Sequence, residues 1–171
     1  MGLRDADAEV MRWFPAPMTP EQSDAAVDRM VRHHEDHGYG LWVVEVLTSD
    51  RGATPFAGFV GMSHPSFVPP VPHERPAVEI AWRLTRDWWG LGLATEAAAA
   101  CLDVAFAEAG LPEVLSWTVP ANLPSQAVMQ RLGMAYAGVF AHPLADGAWW
   151  EPHVVYRLTA QDWRTASVRW G

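Results

Sequence analysis

The stretch Trp89-Gly90-Leu91-Gly92-Leu93-Ala94 lies between a predicted strand, residues 78–84, and a predicted Ala-rich helix, residues 93–109. Its two glycines allow the backbone to approach a ligand closely and to turn successive N–H groups toward it. The helix dipole adds about half a positive charge at the start of the helix, so an anion can bind there without a basic side chain. The stretch predicts a pyrophosphate-binding turn, and the alternative is a plain tight turn.

A dinucleotide site is a second alternative for a glycine-rich turn that follows a strand. Its fingerprint requires Gly-x-Gly-x-x-Gly, or the same pattern ending in Ala, and the sixth position counted from Gly90 is Thr95. Because the fingerprint fails at that position, we do not expect a dinucleotide here.

Capping signals predict the helices. Residues 19–22 form a Thr-Pro-Glu-Gln capping box that begins a helix, and Gly38 ends it. The Ala-rich helix ends at Gly110. Two later helices are predicted, one from Asn122 or Ser125 to Leu132 and one beginning at a second capping signal, residues 159–162.

Runs of β-branched and aromatic residues predict the strands. The first two form an antiparallel hairpin that turns at residues 49–52. Residues 63–76 follow this hairpin and contain five prolines, which predicts a long, stiff connection. Together with the helices, the strands predict one mixed α/β sheet that contains a βαβ unit. The strands cover residues 41–47, 56–62, 78–84, 114–119, 136–140 and 153–158.

Composition places the chain among ordinary globular proteins. Of its 171 residues, 50% are hydrophobic and 19% are charged, and we expect a single domain over residues 1–171. The formal net charge of -8 argues against a nucleic-acid partner, because a phosphate backbone favours a basic face. A cationic or amine-bearing substrate fits this charge better.

The sequence also predicts a compartment. Cys101 is the single cysteine, so we expect a buried thiol, no intramolecular disulfide and a reducing environment. No apolar window is long enough to span a bilayer, and the first residues are charged. We therefore expect a cytoplasmic protein with no membrane partner.

Three ordered blocks resemble the GNAT superfamily of N-acetyltransferases. Gly92 and Ala94 match its signature Q/R-x-x-G-x-G/A, with Gly90 at the first variable position and Trp89 in place of the leading Gln or Arg. The likeness covers roughly residues 9–158 and is closest to the ribosomal-protein N-terminal (RimJ/RimL-like) branch and its small-molecule-acetylating relatives. The blocks are VEIAWRL at 78–84, WGLGLATEA at 89–97, and NLPS at 122–125 with LGM at 132–134.

The resemblance implies a fold and a cofactor. The expected GNAT fold is a mixed, mostly antiparallel sheet with flanking helices, in which acetyl-CoA binds between two splayed parallel strands. Those strands would be residues 78–84 and 114–119, with the pyrophosphate on the backbone of residues 90–95. Backbone N–H groups near Ile80 to Trp82 would steady the oxyanion. The implied coenzyme contacts are Ile80, Ala81, Trp82, Trp89, Gly90, Leu91, Gly92, Leu93, Ala94, Thr95, Asn122, Ser125 and Met129.

Glu79 is the candidate general base. It alternates with apolar residues on a strand that we expect to be covered on both faces, where an ionised carboxylate is costly. Arg83 shares its strand face, but four extended residues place the two Cα atoms about 13 Å apart. A carboxylate with a raised pKa can take the proton that an attacking ammonium must lose.

The candidates for the general acid and the coenzyme clamp lie at the next helix start. Asn122 and Ser125 are typical helix-capping residues. The resemblance implies that Asn122 holds the pantetheine arm and that Ser125 donates a proton to the departing thiolate. Many relatives instead use a tyrosine seven residues after the asparagine, and that position is Met129, which cannot donate one.

Two groups of histidines are interpreted conservatively. His33 and His37 form an i, i+4 pair, but histidines at a helix C-terminus also meet the negative end of the dipole, so we predict no metal. His142, His153 and Tyr156 lie in a segment that resembles the acceptor side of the family. Structural hydrogen bonding is the alternative role for these three residues.

The resulting hypothesis is direct attack of a primary amine on acetyl-CoA in a ternary complex. The acceptor is a small-molecule amine or a protein N-terminal amine. The alternatives are a non-catalytic acyl-CoA sensor and an acyltransferase that uses succinyl or longer acyl groups. Relatives usually begin with an extra strand, which we expect this chain to lack. The sheet edge left open would then be covered by a homodimer or would cost stability.

Overall fold

A computed structural model of the chain describes residues 7–47, 56–67, 69–74 and 76–167, and six strands within them form one sheet. The strands are β1 (Leu41–Glu45), β2 (Phe56–Ser63), β3 (Glu79–Leu84), β4 (Glu113–Thr118), β5 (Ala135–Ala141) and β6 (Pro152–Thr159). The α-helices in this part are α1 (Pro20–His37), α2 (Leu93–Asp103), α3 (Leu123–Arg131) and α4 (Ala160–Ser167). None of the helices described has the length and apolar content needed to cross a membrane.

The sheet is mixed, with one parallel pair at its centre. Its order is β1-β2-β3-β4-β6-β5, and every neighbouring pair except β3 and β4 is antiparallel. Between β3 and β4 the ladder contains the single pair Glu79 and Leu115, with the Leu115 amide 2.8 Å from the Val78 carbonyl. The two strands therefore diverge toward their carboxyl ends, which confirms the predicted α/β fold with splayed central strands.

The capping signals that predict α1 are realised at both of its ends. The Gln22 amide donates to Thr19 Oγ1 at 3.2 Å, and the Thr19 amide donates to Gln22 Oε1 at 2.9 Å. Gly38 ends the helix in the left-handed region with φ 74°, which costs a glycine little. Local polar chemistry alone thus fixes the bounds of this helix.

The Ala-rich helix differs from its prediction in the last turn. α2 is regular to Asp103, and a π-helical turn, Val104–Glu108, follows, in which the Ala109 amide donates to the Val104 carbonyl at 2.9 Å. The wider turn inserts one extra residue before Gly110. The sequence of this turn, VAFAE, contains no glycine or proline that would signal it. Helical spacing turns one face of this helix toward the sheet. The buried residues on that face are Ala98, Cys101, Leu102 and Ala105.

The proline-rich connection between β2 and β3 contains no helix or strand in its described residues, 64–67, 69–74 and 76. Residues 7–19 form turns, which leaves β1 as an edge strand of the sheet. The predicted absence of a further first strand also concerns residues 1–6, which lie outside the described residues, as does the predicted turn at residues 49–52. The Cys101 thiol is buried as expected, and burial raises its pKa to about 11.

Candidate functional site

The glycine-rich turn follows the carboxyl end of β3. Gly90 and Gly92 have φ of 75° and 80°, and a Cβ at either position would meet no atom within 4 Å. The left-handed backbone, rather than crowding, therefore calls for glycine at both positions. Both glycines are exposed, so the space in front of the turn is open.

The turn leads directly into α2. Gly92 is the N-cap, and the first helical hydrogen bond runs from the Glu96 amide to the Gly92 carbonyl at 3.0 Å. The amides of Leu93, Ala94 and Thr95 precede that bond, so they have no acceptor within the helix. Together with the helix dipole, these amides form a site that suits a phosphate group.

Trp89 secures the turn to the strand before it. Its indole N–H donates to the Leu84 carbonyl at 2.8 Å, while 40% of the residue stays exposed beside the exposed Leu91. The Arg12 guanidinium lies 5.8 Å from the centroid of the Trp89 ring. Sequence reasoning did not find this cation, because Arg12 lies far from the turn along the chain and no motif marks it.

Glu79 lies where the central strands begin to separate. It opposes Ser63 on β2 and Leu115 on β4, and it is half-buried. Burial raises the pKa of its carboxyl group to about 8. Among the described residues the carboxylate has no hydrogen-bond or ion-pair partner, and the Arg83 guanidinium instead lies 4.3 Å from the centroid of the Phe14 ring. The environment thus favours a neutral carboxyl group that can exchange a proton near pH 8.

The rest of β3 borders the gap between the strands. Ile80 is fully buried, whereas Ala81 and Trp82 are half-buried. All three pair with β2, and none of them has a ladder partner on β4. Ala81 and Trp82 lie beyond the Glu79–Leu115 pair, so the β3 backbone there can face a ligand in the gap.

The second helix start lies beyond β4. Asn122 caps α3: its Oδ1 accepts from the Ser125 amide at 3.3 Å, and its Nδ2 donates to Thr118 Oγ1 at 2.9 Å. The capping interpretation is confirmed, and it uses both ends of the Asn122 side chain. The Ser125 hydroxyl has no hydrogen-bond partner in the described part of the chain and is half-buried.

Met129 lies deeper in the same helix. It is 0% exposed and belongs to the hydrophobic core. A coenzyme could contact this side chain only if the core around it opened. Of the residues that the resemblance assigns to the coenzyme, Met129 is the one whose position fits least.

These parts meet at one edge of the sheet. The glycine turn follows β3 and the Asn122 cap follows β4, and the carboxyl ends of parallel neighbours lie at the same edge. The helices that begin there, α2 and α3, contact each other. The result is a widening gap with Glu79 at its narrow end and two helix N-termini at its mouth.

An aromatic cluster lies at the far side of β4. The ring of Phe67, from the proline-rich connection, lies 5.5 Å from Trp117 and 4.6 Å from His142, and the ring of His142 lies 4.9 Å from His153. Burial lowers the pKa of both histidines. Sequence reasoning placed the two histidines here but missed Phe67, because its position depends on the course of the connection.

Tyr156 has the structural role that the sequence left open. Its hydroxyl donates to Gln126 Oε1 at 3.2 Å and accepts from Gln130 Nε2 at 3.4 Å. These bonds join β6 to α3, and the residue is buried. They occupy its hydroxyl within the protein.

Known proteins share both the sequence pattern and this geometry. The family described as "Acetyltransferase (GNAT) domain" matches residues 3–135. The uncharacterized protein YkkB of Bacillus subtilis is 30% identical over 136 residues, which are 80% of this chain and 74% of that protein. The FsC-acetyl coenzyme A-N(2)-transacetylase of Aspergillus fumigatus is 29% identical over 175 aligned positions, covering 93% of this chain and 68% of that protein. A GNAT-family acetyltransferase structure from Bacillus anthracis has a TM-score of 0.70 at 23% identity and covers 92% of this chain and 85% of that one.

Proposed function

This chain belongs to the GNAT acetyltransferase family, and from that premise we propose that it transfers an acetyl group from acetyl-CoA to a primary amine. The observation that carries the proposal is the gap between β3 and β4, with a phosphate-binding turn at its mouth and an unpartnered carboxyl group at its narrow end. Acetyl-CoA supplies an activated carbonyl and a thiolate leaving group.

The turn would hold the coenzyme through its backbone. The left-handed Gly90 and Gly92 and the unpaired amides that begin α2 suit a pyrophosphate. Arg12 adds a positive charge beside Trp89. Open backbone groups of β3 near Ile80 to Trp82 would receive the acyl end and steady the oxyanion that forms there.

Glu79 would take the proton that activates the acceptor. An amine is an ammonium ion at neutral pH and attacks only after it loses a proton. Because its pKa is raised, Glu79 binds a proton more strongly than an exposed carboxylate does, and its proton affinity is closer to that of an amine. The neutral nitrogen then attacks the thioester carbonyl directly, so no covalent enzyme intermediate forms.

Ser125 would supply the proton that the leaving thiolate needs. Its hydroxyl has no partner among the described residues, while Asn122 positions the helix start on which it lies. When the C–S bond breaks, the hydroxyl proton goes to sulfur. The second proton that the nitrogen loses as the amide forms replaces the one that Ser125 gave up.

The acceptor is an amine of a small molecule or of a protein N-terminus. The net charge of -8 favours a cationic acceptor. The three sequence blocks at residues 78–84, 89–97 and 122–134 support a place in the RimJ/RimL-like branch. We propose a single cytoplasmic domain, for which a homodimer would cover the edge at β1.

Two measurements on the full chain test this proposal. Calorimetry with acetyl-CoA should give saturable binding at one site per chain, and an absence of heat would overturn the coenzyme site. Release of the coenzyme thiol should then depend on an added amine, with a polyamine, an amino acid and a peptide with a free N-terminus as acceptors. Binding without release for any amine would favour the non-catalytic sensor, and release from succinyl-CoA alone would favour the longer-acyl alternative.

A further inference from the structure

Three histidines from two distant segments meet at the end of α1. The ring nitrogens of His33, His37 and His64 that face one another lie within 4.8 Å of one another. His33 and His37 are the i, i+4 pair of the helix, and His64 follows the last residue of β2. The pair alone gave no reason to expect a metal, and the structure adds a third imidazole that the sequence could not place beside it.

Hydrogen bonds fix the tautomers of two of these rings. His33 Nδ1 lies 3.0 Å from the Tyr39 carbonyl, and His64 Nδ1 lies 3.2 Å from the Ala77 carbonyl. Because a carbonyl only accepts, each Nδ1 carries a proton and each Nε2 carries a lone pair. An imidazole held this way by a carbonyl is the usual arrangement of a metal-binding histidine.

Two hydrogen-bond donors of the protein use these lone pairs. The His64 amide donates to His33 Nε2 at 2.9 Å, and the Tyr39 hydroxyl donates to His64 Nε2 at 3.0 Å. His37 is exposed and has no hydrogen-bond partner in the described residues, so its ring can turn toward the other two. Nitrogen ligands of a tetrahedral zinc ion lie roughly 3.3 Å apart, given bonds of about 2.0–2.1 Å. A bound ion would replace both of these hydrogen bonds at Nε2, and rotation of His37 would bring the third nitrogen to it.

We propose that His33, His37 and His64 bind a transition-metal dication of the zinc type. Three neutral imidazoles suit zinc, nickel and copper, and they leave one position of a tetrahedral ion for water. A neutral ring is the form that a metal binds.

The location of the site gives it a structural role. It joins the end of α1 to the start of the proline-rich connection, one residue after Ser63, which is the ladder partner of Glu79. A bound ion would hold the connection at this point. The proposal does not depend on the acetyltransferase function, because it concerns residues outside the gap between β3 and β4.

Calorimetry on the full chain without a polyhistidine tag tests the proposal. Titration with zinc chloride at pH 7.5 should show one ion per chain, and His37→Ala should raise the dissociation constant at least tenfold. His34→Ala is the matched control, since His34 is an exposed histidine of the same helix end and lies outside the cluster. Equal binding by wild type and His37→Ala, or no saturable binding by wild type, would overturn the proposal.

Thermal unfolding gives a second readout. Zinc should raise the melting temperature of wild type and His34→Ala, and a chelator should reverse the shift, because an ion that binds only the folded chain stabilises it. His37→Ala should melt as wild type does without metal and should show no shift with zinc. An equal shift in all three proteins would show that the ion binds elsewhere and would overturn the assignment of the site to His33, His37 and His64.

Discussion

Glu113 of β4 and Arg157 of β6 form an ion pair in which the carboxylate is the buried partner: the Glu113 side chain is 4% exposed and that of Arg157 is 39% exposed. The other carboxylate oxygen accepts from the Glu74 amide at 2.6 Å. One side chain therefore joins two neighbouring strands to the proline-rich connection. This is the kind of buried group whose removal a protein tolerates poorly.

We expect Glu113→Ala to destabilise the fold by about 3 kcal/mol, because it leaves the Arg157 cation and the Glu74 amide without this partner. Urea unfolding measures the effect. The control is Glu9→Ala, which breaks the exposed ion pair with Arg12 and should change stability by less than about 1 kcal/mol. Equal effects of the two variants would contradict the anchoring role of Glu113.

Glu79→Gln should fold, bind acetyl-CoA as wild type does, and lose at least about tenfold in kcat through loss of the base. In wild type, kcat should rise with pH through about 8, since the proton-accepting form appears only above the raised pKa of Glu79. The variant should lack that rise. Glu96→Gln, an exposed residue of the α2 start, is the control that should keep the wild-type pH profile. A variant whose pH profile matches wild type would remove Glu79 from the base role.

The same carboxyl group predicts a pH effect on stability. The pKa of Glu79 is about 8 in the folded chain and near 4.5 in the unfolded chain, so the folded state holds an extra proton between these values. Stability from this group should therefore fall as pH rises from about 5 to 8, and Glu79→Gln should be more stable than wild type at pH 8. Thermal melts of both proteins at pH 5 and pH 8 give the comparison, and a constant difference between them would refute the linkage.

Gly92→Ala should weaken acetyl-CoA binding about tenfold, because it strains the backbone that presents the α2 amides. Gly110→Ala is the matched control. Its φ is 63°, and an added Cβ there also meets no atom within 4 Å, so both variants should lose roughly 1 kcal/mol of stability. Calorimetry with acetyl-CoA separates them, and an equal loss of affinity in both would argue against a phosphate site at Gly92.

Arg12→Gln should weaken coenzyme binding roughly threefold to tenfold at low salt, with a smaller effect at high salt, because added ions screen an exposed charge. Arg29→Gln, an exposed change on α1, removes the same charge from another surface and should have little effect. Binding measured at two salt concentrations tests this. If both variants lost the same affinity for the coenzyme, the net charge of the protein, and not the position of Arg12, would explain the loss.

Sequence signals predicted the parts of the fold that local chemistry determines. The capping box at Thr19, the glycine that ends α1 and the two glycines before α2 act within a few residues of where they lie. The π-helical turn at residues 104–108 escaped prediction, because its sequence, VAFAE, contains no glycine, proline or capping residue that would mark a change of helix type. Local pattern is sufficient where neighbours along the chain supply the hydrogen bonds.

The residues of the candidate site also fall into those that local sequence indicates and those that only the tertiary fold brings together. Glu79 is a candidate because it is one charge in an apolar strand, and burial does raise the pKa of its carboxyl group. Arg12 beside Trp89, Phe67 beside His142 and His64 beside His33 were missed, since each pair is brought together by the tertiary fold. Sequence spacing carries no information about such contacts unless a known pattern links the two positions.

The ladder between β3 and β4 contains one residue pair, Glu79 and Leu115, so the two halves of the sheet are joined weakly along a line that we call the seam. Strands on either side can open locally without breaking the antiparallel ladders that hold each half together. A long ligand that binds along the seam would contact both halves of the sheet and hold them together. Exchange of backbone amide hydrogens with deuterium should then slow on both sides at once when the ligand is present.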